Sequence, residues 1–131
     1  MEANSYLGIA KRNLRTAKNL MGDGDFNDAT RYAQQVVEKV LKHLLEQTQD
    51  PSVTGFMRIH NLRTLYTQAQ KREVRHLPPL SRETLACLTT YYFDTNYPGD
   101  DYIEVTEEEA QEACQVAETF FENFLEMQKT P

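Results

Sequence analysis

The stretch Phe26–Leu45, FNDATRYAQQVVEKVLKHLL, leaves few architectures open. Phe26, Ala29, Ala33, Val36, Val37, Val40, Leu41 and Leu44 recur three and four apart, the spacing of one side of an α-helix. At about 100° per residue these positions span most of one side, and Tyr32 and Leu45 widen the arc past half the circumference. A helix apolar over so wide an arc needs neighbours on more than one flank, which predicts the central helix of a bundle. Asp25 stands where an N-cap belongs. The remaining strip carries Gln35, Glu38, Lys39 and Lys42, and these groups are expected to collect on the one part left uncovered.

The rest of the chain supplies partners for that helix. Before it, Tyr6, Ile9, Ala10, Leu14, Ala17, Leu20 and Met21 make an inward stripe over Ser5 to Met21, with Lys11, Arg12, Arg15 and Lys18 on the opposite face. Gly22-Asp23-Gly24-Asp25 reads as a helix stop followed at once by a helix start, so the first two helices should pack antiparallel. The polar run Gln47–Gly55 is expected to be an exposed loop.

A shorter third helix should begin near His60 or Asn61, with Ile59, Leu62, Leu65, Tyr66 and Ala69 facing in. It must end before the linker Val74–Pro79, because Pro78 and Pro79 cannot continue it. Ser81 caps a fourth helix with Leu85, Leu88, Tyr91 and Tyr92 inside. Asp94–Val105 contains the turn signal Asn96-Tyr97-Pro98-Gly99.

Thr106 and Glu109 form a capping box for the last helix. Its inner positions run from small to large: Ala110, Ala113, Cys114 and Ala117, then Phe120, Phe121, Phe124 and Leu125. No strand pattern or repeat interrupts this order. The predicted fold is all-α, an antiparallel up-and-down bundle of four to five helices forming a single domain over residues 1–131.

Charge is divided sharply along the chain. Residues 1–82 hold 13 Lys/Arg against 8 Asp/Glu, and residues 83–131 hold one Lys against 12 acids. Such a split can meet an anionic partner on the first part and a basic one on the second, or let helices of one bundle attract each other. No apolar run approaches the ~20 residues of a membrane span, and the N-terminus lacks the order of a secretory signal. Cys87 and Cys114 lack metal-ligand spacing and read as small buried apolar groups, which fits a cytoplasmic location.

With these elements in place the chain resembles the HEPN family, named for nucleotide binding in higher eukaryotes and prokaryotes. The matching residues are Ala10–Ala17 (AKRNLRTA), Gly24-Asp25-Phe26 before Ala29, Ala33–Lys39 continuing to Leu41-Lys42, His60-Asn61-Leu62 with Leu65, and Tyr97-Pro98 ahead of the closing helix. The resemblance implies a compact helical bundle, commonly dimeric. It also implies either a metal-independent ribonuclease or a binding module, in some members paired with a nucleotidyltransferase-like protein.

Ribonucleases of the family carry Arg-x4-6-His. The residues at those distances are Glu38, Val37 and Val36 before His43, Gly55, Thr54 and Val53 before His60, and Lys71, Gln70 and Ala69 before His76. None is Arg, so the reading leans away from an enzyme and names no catalytic residue. Members often place Arg before the Tyr-Pro pair, where this chain has Asn96.

The candidate ligand- or partner-binding residues are therefore Gln35, Glu38, Lys39, Lys42, His60 and Tyr97. Lys39 and Lys42 are expected to hold phosphate, while Gln35 and Glu38 fix a base or a partner side chain. The competing reading of Glu38 and Lys42 is an ordinary surface pair. Asp94, Asp100, Asp101 and Glu104 read as an acidic loop rather than a metal site, since no EF-hand spacing is present.

No cofactor or metal is expected. The expected partners are a second copy of the chain, a nucleotidyltransferase-like protein, and a nucleotide or RNA, with no membrane. The main alternatives are a ribonuclease working through Lys71–His76 with a degenerate site, and a purely structural oligomerising subunit.

Overall fold

A computed structural model describes residues 5–94 and 104–129. Its elements are α1 (Tyr6–Asp23), α2 (Phe26–Gln47), a 3₁₀ segment (Pro51–Arg58), α3 (Leu62–Lys71), α4 (Arg82–Asp94) and α5 (Glu107–Gln128). Among the described residues every regular element is helical.

The turn between α1 and α2 is as abrupt as the glycines require. Gly24 sits at φ 81°, in the left-handed region that glycine adopts without a Cβ clash. The Asp25 N–H then donates to the Leu20 carbonyl at 2.9 Å and the Gly24 N–H to Met21 at 3.2 Å, closing α1. Asp25 consequently serves two helices. Its ψ of 73° is far from the extended value of a capping residue, and its side chain makes no cap hydrogen bond to α2. The expected Asp25 cap is corrected on that ground.

α2 is the axis of the bundle, in contact with α1, α3, α4 and α5. Ala29, Ala33, Val36, Val37, Val40, Leu41, Leu44 and Leu45 are all buried, as the wide apolar arc demands. α1 contributes Ala10 and Ala17 to the core, while Leu14, Leu20 and Met21 are partly covered.

α5 begins with the Thr106–Glu109 capping box. It is held to the start of α2 by the Val105 N–H, which donates to Asn27 Oδ1 at 2.8 Å. Ala110, Ala113, Cys114, Ala117, Phe120, Phe121 and Phe124 are buried. Leu125 was expected in that row but is 40% exposed, although Phe124 beside it is fully buried. Cys114 is buried as expected, and Cys87 lies exposed on α4, against expectation.

Two short segments are more ordered than their polar composition indicates. The run after α2 is not an open loop, because Asp50 accepts from the Ser52 N–H at 3.0 Å and starts the 3₁₀ segment, which buries Val53. Pro51 at its first turn costs no hydrogen bond there. The proline linker is pinned by Tyr66, whose hydroxyl donates to the Pro78 carbonyl at 2.7 Å and accepts from Leu80 N–H at 3.1 Å. Ser81 caps α4 as predicted, accepting from the Thr84 N–H at 3.1 Å. No helix among the described residues is long and apolar enough to cross a membrane.

A closed ion network on the central helix

Residues 34, 38 and 42 are successive i,i+4 neighbours on α2, so their side chains stack along one line of the helix. That line faces the connection into α3 rather than solvent. Gln34, Glu38 and Lys42 are all buried there, and the expectation of an uncovered polar strip is corrected. The apolar arc of α2 is wide enough that covering its flanks also covers these polar residues.

Glu38 is the hub. Its Oε1 accepts from Gln34 Nε2 at 3.0 Å, and its Oε2 accepts from Lys39 and Lys42 Nζ, each at 2.9 Å. His60 Nδ1 lies 3.2 Å from Oε1 and 3.3 Å from Oε2. Burial alone raises the Glu38 pKa, but the charge and hydrogen bond of Lys39, the charge of Lys42 and the Gln34 amide bring it down to about 2. The carboxylate is thus ionised and can only accept, so Nδ1 is the protonated nitrogen of the imidazole.

Two further bonds bind α2 to the connection: Lys42 Nζ donates to the Met57 carbonyl at 2.8 Å, and Gln34 Nε2 to the His60 carbonyl at 3.1 Å. Burial lowers the Lys42 pKa, and the Glu38 carboxylate opposes that shift.

The network opens on one edge only. The side chains of Lys42 and Glu38 are 3% and 1% exposed, while Lys39 is 17% and His60 37% exposed. His60 stacks on Tyr92 of α4, with ring centroids 4.4 Å apart and planes 20° apart. Two lysines share one carboxylate, so the cluster carries a surplus positive charge beside its open edge.

Of the sequence candidates, Glu38, Lys39, Lys42 and His60 come together. Lys42 is committed to Glu38 and Met57 and is too enclosed to hold phosphate, which corrects that role. Gln35 stands half-buried one position off the line, and Gln34 takes its place in the network. The i,i+4 spacing from Glu38 favours Gln34, but Gln35 at i,i+3 is an equally permitted neighbour from sequence. Tyr92 was legible only as an inner position of the fourth helix, and the Met57 carbonyl carried no local signal. Tyr97 lies outside the described residues, as does the Asn96–Gly99 turn.

On α1, Lys11, Arg12, Arg15 and Lys18 are exposed, and Lys18 pairs with Glu118 of α5. This surface pair joins the basic half of the chain to the acidic half. Among the described residues no group of three His, Cys, Asp or Glu is gathered as metal ligands would be.

The family model of the HEPN domain matches residues 3–128. No curated protein and no solved structure is matched.

Proposed function

We propose that this chain, which belongs to the HEPN domain family, is a binding and regulatory module that takes an anionic ligand of the nucleotide class at the open edge of the Glu38 network. The observation that carries this reading is the charge imbalance: two ammonium groups on one carboxylate, with Lys39 and the imidazole of His60 at the boundary with solvent.

Lys39 would meet a phosphate oxygen through a charge-assisted bond. His60 would accept, through Nε2, from a ribose hydroxyl or a base N–H. Glu38 would hold the imidazole in the tautomer that leaves Nε2 bare, and Tyr92 would fix the ring plane. In this role Glu38, Gln34 and Lys42 are positioning residues, out of the ligand's reach. Self-association and a nucleotidyltransferase-like partner belong to the same reading, supported by the family and by the unequal charge of the two halves.

The test is a nucleotide titration followed by thermal melting, on the wild type and on Lys39→Gln. A ligand at 100 times its Kd should stabilise the fold by about 2.7 kcal/mol, and Lys39→Gln should remove most of that gain. Melting unchanged by every nucleotide tried would retire the reading. Metal-free RNA cleavage above background would replace it with the ribonuclease.

A further inference from the structure

A second feature lies at the far end of α2. His43 is five positions beyond Glu38, about 140° round the helix, so it faces away from the ion network. It lines a cleft of about 500 Å³ together with Thr48 and with Arg72, Glu73, Arg75 and His76 from the end of α3 and the linker after it. The volume lies in the range of small-ligand sites.

We propose that this cleft binds the phosphoryl group of a small ligand. The inference does not depend on the Glu38–His60 reading.

Arg72 is held in place by neutral acceptors alone: Nη2 donates to Ser52 Oγ at 2.7 Å and Nη1 to Gln68 Oε1 at 3.3 Å. Its guanidinium also lies over the Phe56 ring, 5.6 Å from the centroid. Its Nε–H is buried with no acceptor. Asp50 feels the Arg72 charge but forms no ion pair with it. A guanidinium fixed in this way is preorganised, and Asp50 offsets its charge only from beyond ion-pair distance.

Arg75 and His76 have no hydrogen-bond or ion-pair partner among the described residues. Two guanidinium groups and two imidazoles line the cleft with one acid, Glu73, while Glu46 and Asp50 act on His43 and Arg72 from outside the lining. The carbonyl ends of α2 and α3 at this corner favour cations, which explains why the basic residues gather there; an anion must be held by their side chains. Those groups offer more donors than one planar carboxylate can engage, and a tetrahedral phosphoryl group with three terminal oxygens suits them.

Backbone geometry shows how the corner is built. Among the described residues three non-glycines have left-handed φ: Gln49 at 59°, next to the lining residue Thr48, and Glu73 at 52° and His76 at 65°, which line the cleft. Gln49 and Glu73 are the residues that follow the C-caps of α2 and α3, where a left-handed φ ends a helix, and the turn Glu73 makes delivers the linker residues Arg75 and His76 to the cleft.

The experiment follows the histidine ring resonances of the full chain by NMR during separate titrations with inorganic phosphate, a nucleoside monophosphate and a short single-stranded RNA. Saturable shifts of His43 and His76 are expected from phosphate and from the monophosphate, whereas a shift of His60 reports on the separate Glu38–His60 site and bears on that reading alone. Similar affinities would identify free phosphate or any phosphomonoester as the ligand, and a clearly tighter monophosphate would identify a nucleotide. Arg75→Gln, at an exposed position, should weaken binding about tenfold with the melt unchanged, whereas His60→Gln should leave it intact. The proposal is overturned if neither phosphate nor monophosphate saturates the two resonances, if Arg75→Gln binds as the wild type does, or if only the RNA produces the shifts.

Discussion

The Glu38 network and the Arg72–His76 corner are both built around α2, and both bring several basic side chains together. They differ in what those charges are doing. At Glu38 nearly every donor already has an acceptor inside the molecule, and the hub is closed to water. At the corner the cations are held by neutral groups or by nothing, the backbone is strained, and the cleft is open. A saturated ion network fixes the packing of its elements and can touch a ligand only along its rim. An unsaturated one keeps donors in reserve. Charge content alone does not separate a structural cluster from a candidate site; the test is whether the donors are already occupied.

The largest expected effect comes from breaking the hub. Glu38→Ala leaves Lys42 buried without its counter-charge and should cost about 3–5 kcal/mol in denaturant unfolding. Glu38→Leu combined with Lys42→Met removes both enclosed charges together and should recover most of that loss. If the single variant were as stable as the wild type, the network would not be the structural member of the pair.

Acid should act through the same carboxylate. Its pKa in the fold is about 2, against an ordinary 4.5, so its contribution is complete above pH 4.5 and disappears as pH falls through 2. That contribution is about 3 kcal/mol, and the acid-induced fall in melting temperature should be markedly shallower in Glu38→Gln.

The corner should respond in the opposite direction. Glu73→Gly relieves a left-handed φ at the expense of unfolded-chain entropy, and should stabilise the protein by up to about 1 kcal/mol. A loss of stability would mean that the backbone there is not strained.

The smallest effect is expected at the rim of the network. Lys39→Gln removes a partly exposed ion pair and should cost under about 1 kcal/mol, while reducing any stabilisation by nucleotide. A cost as large as that of Glu38→Ala would make Lys39 part of the closed hub and remove it from the ligand's reach.

How much of this could be read in advance differs by element. The period of α2, the Thr106–Glu109 box and the small-to-large order of α5 are local patterns, and the fold follows them. Asp25, Leu125 and Cys87 departed from expectation because their roles depend on what lies beside them. Asp25 also closes the preceding helix, and the other two sit where no neighbour covers them. Among the candidate residues, Glu38, Lys39, Lys42 and His60 were legible as a group, but not as a buried one.

Helical period and capping act between residues a few positions apart, so the sequence by itself determined the all-α bundle, its central helix and the grouping of Glu38, Lys39, Lys42 and His60. Whether that cluster faces water depends on residues far away in the chain. The 3₁₀ segment and the backbone at His60 close over α2 from 15 and 26 residues away, and only the tertiary structure decided that Gln34 rather than Gln35 meets Glu38. The placing of His43 and His76 on one cleft is of the same kind. A cleft is a property of surfaces brought together by packing, and no local pattern in the chain encodes it.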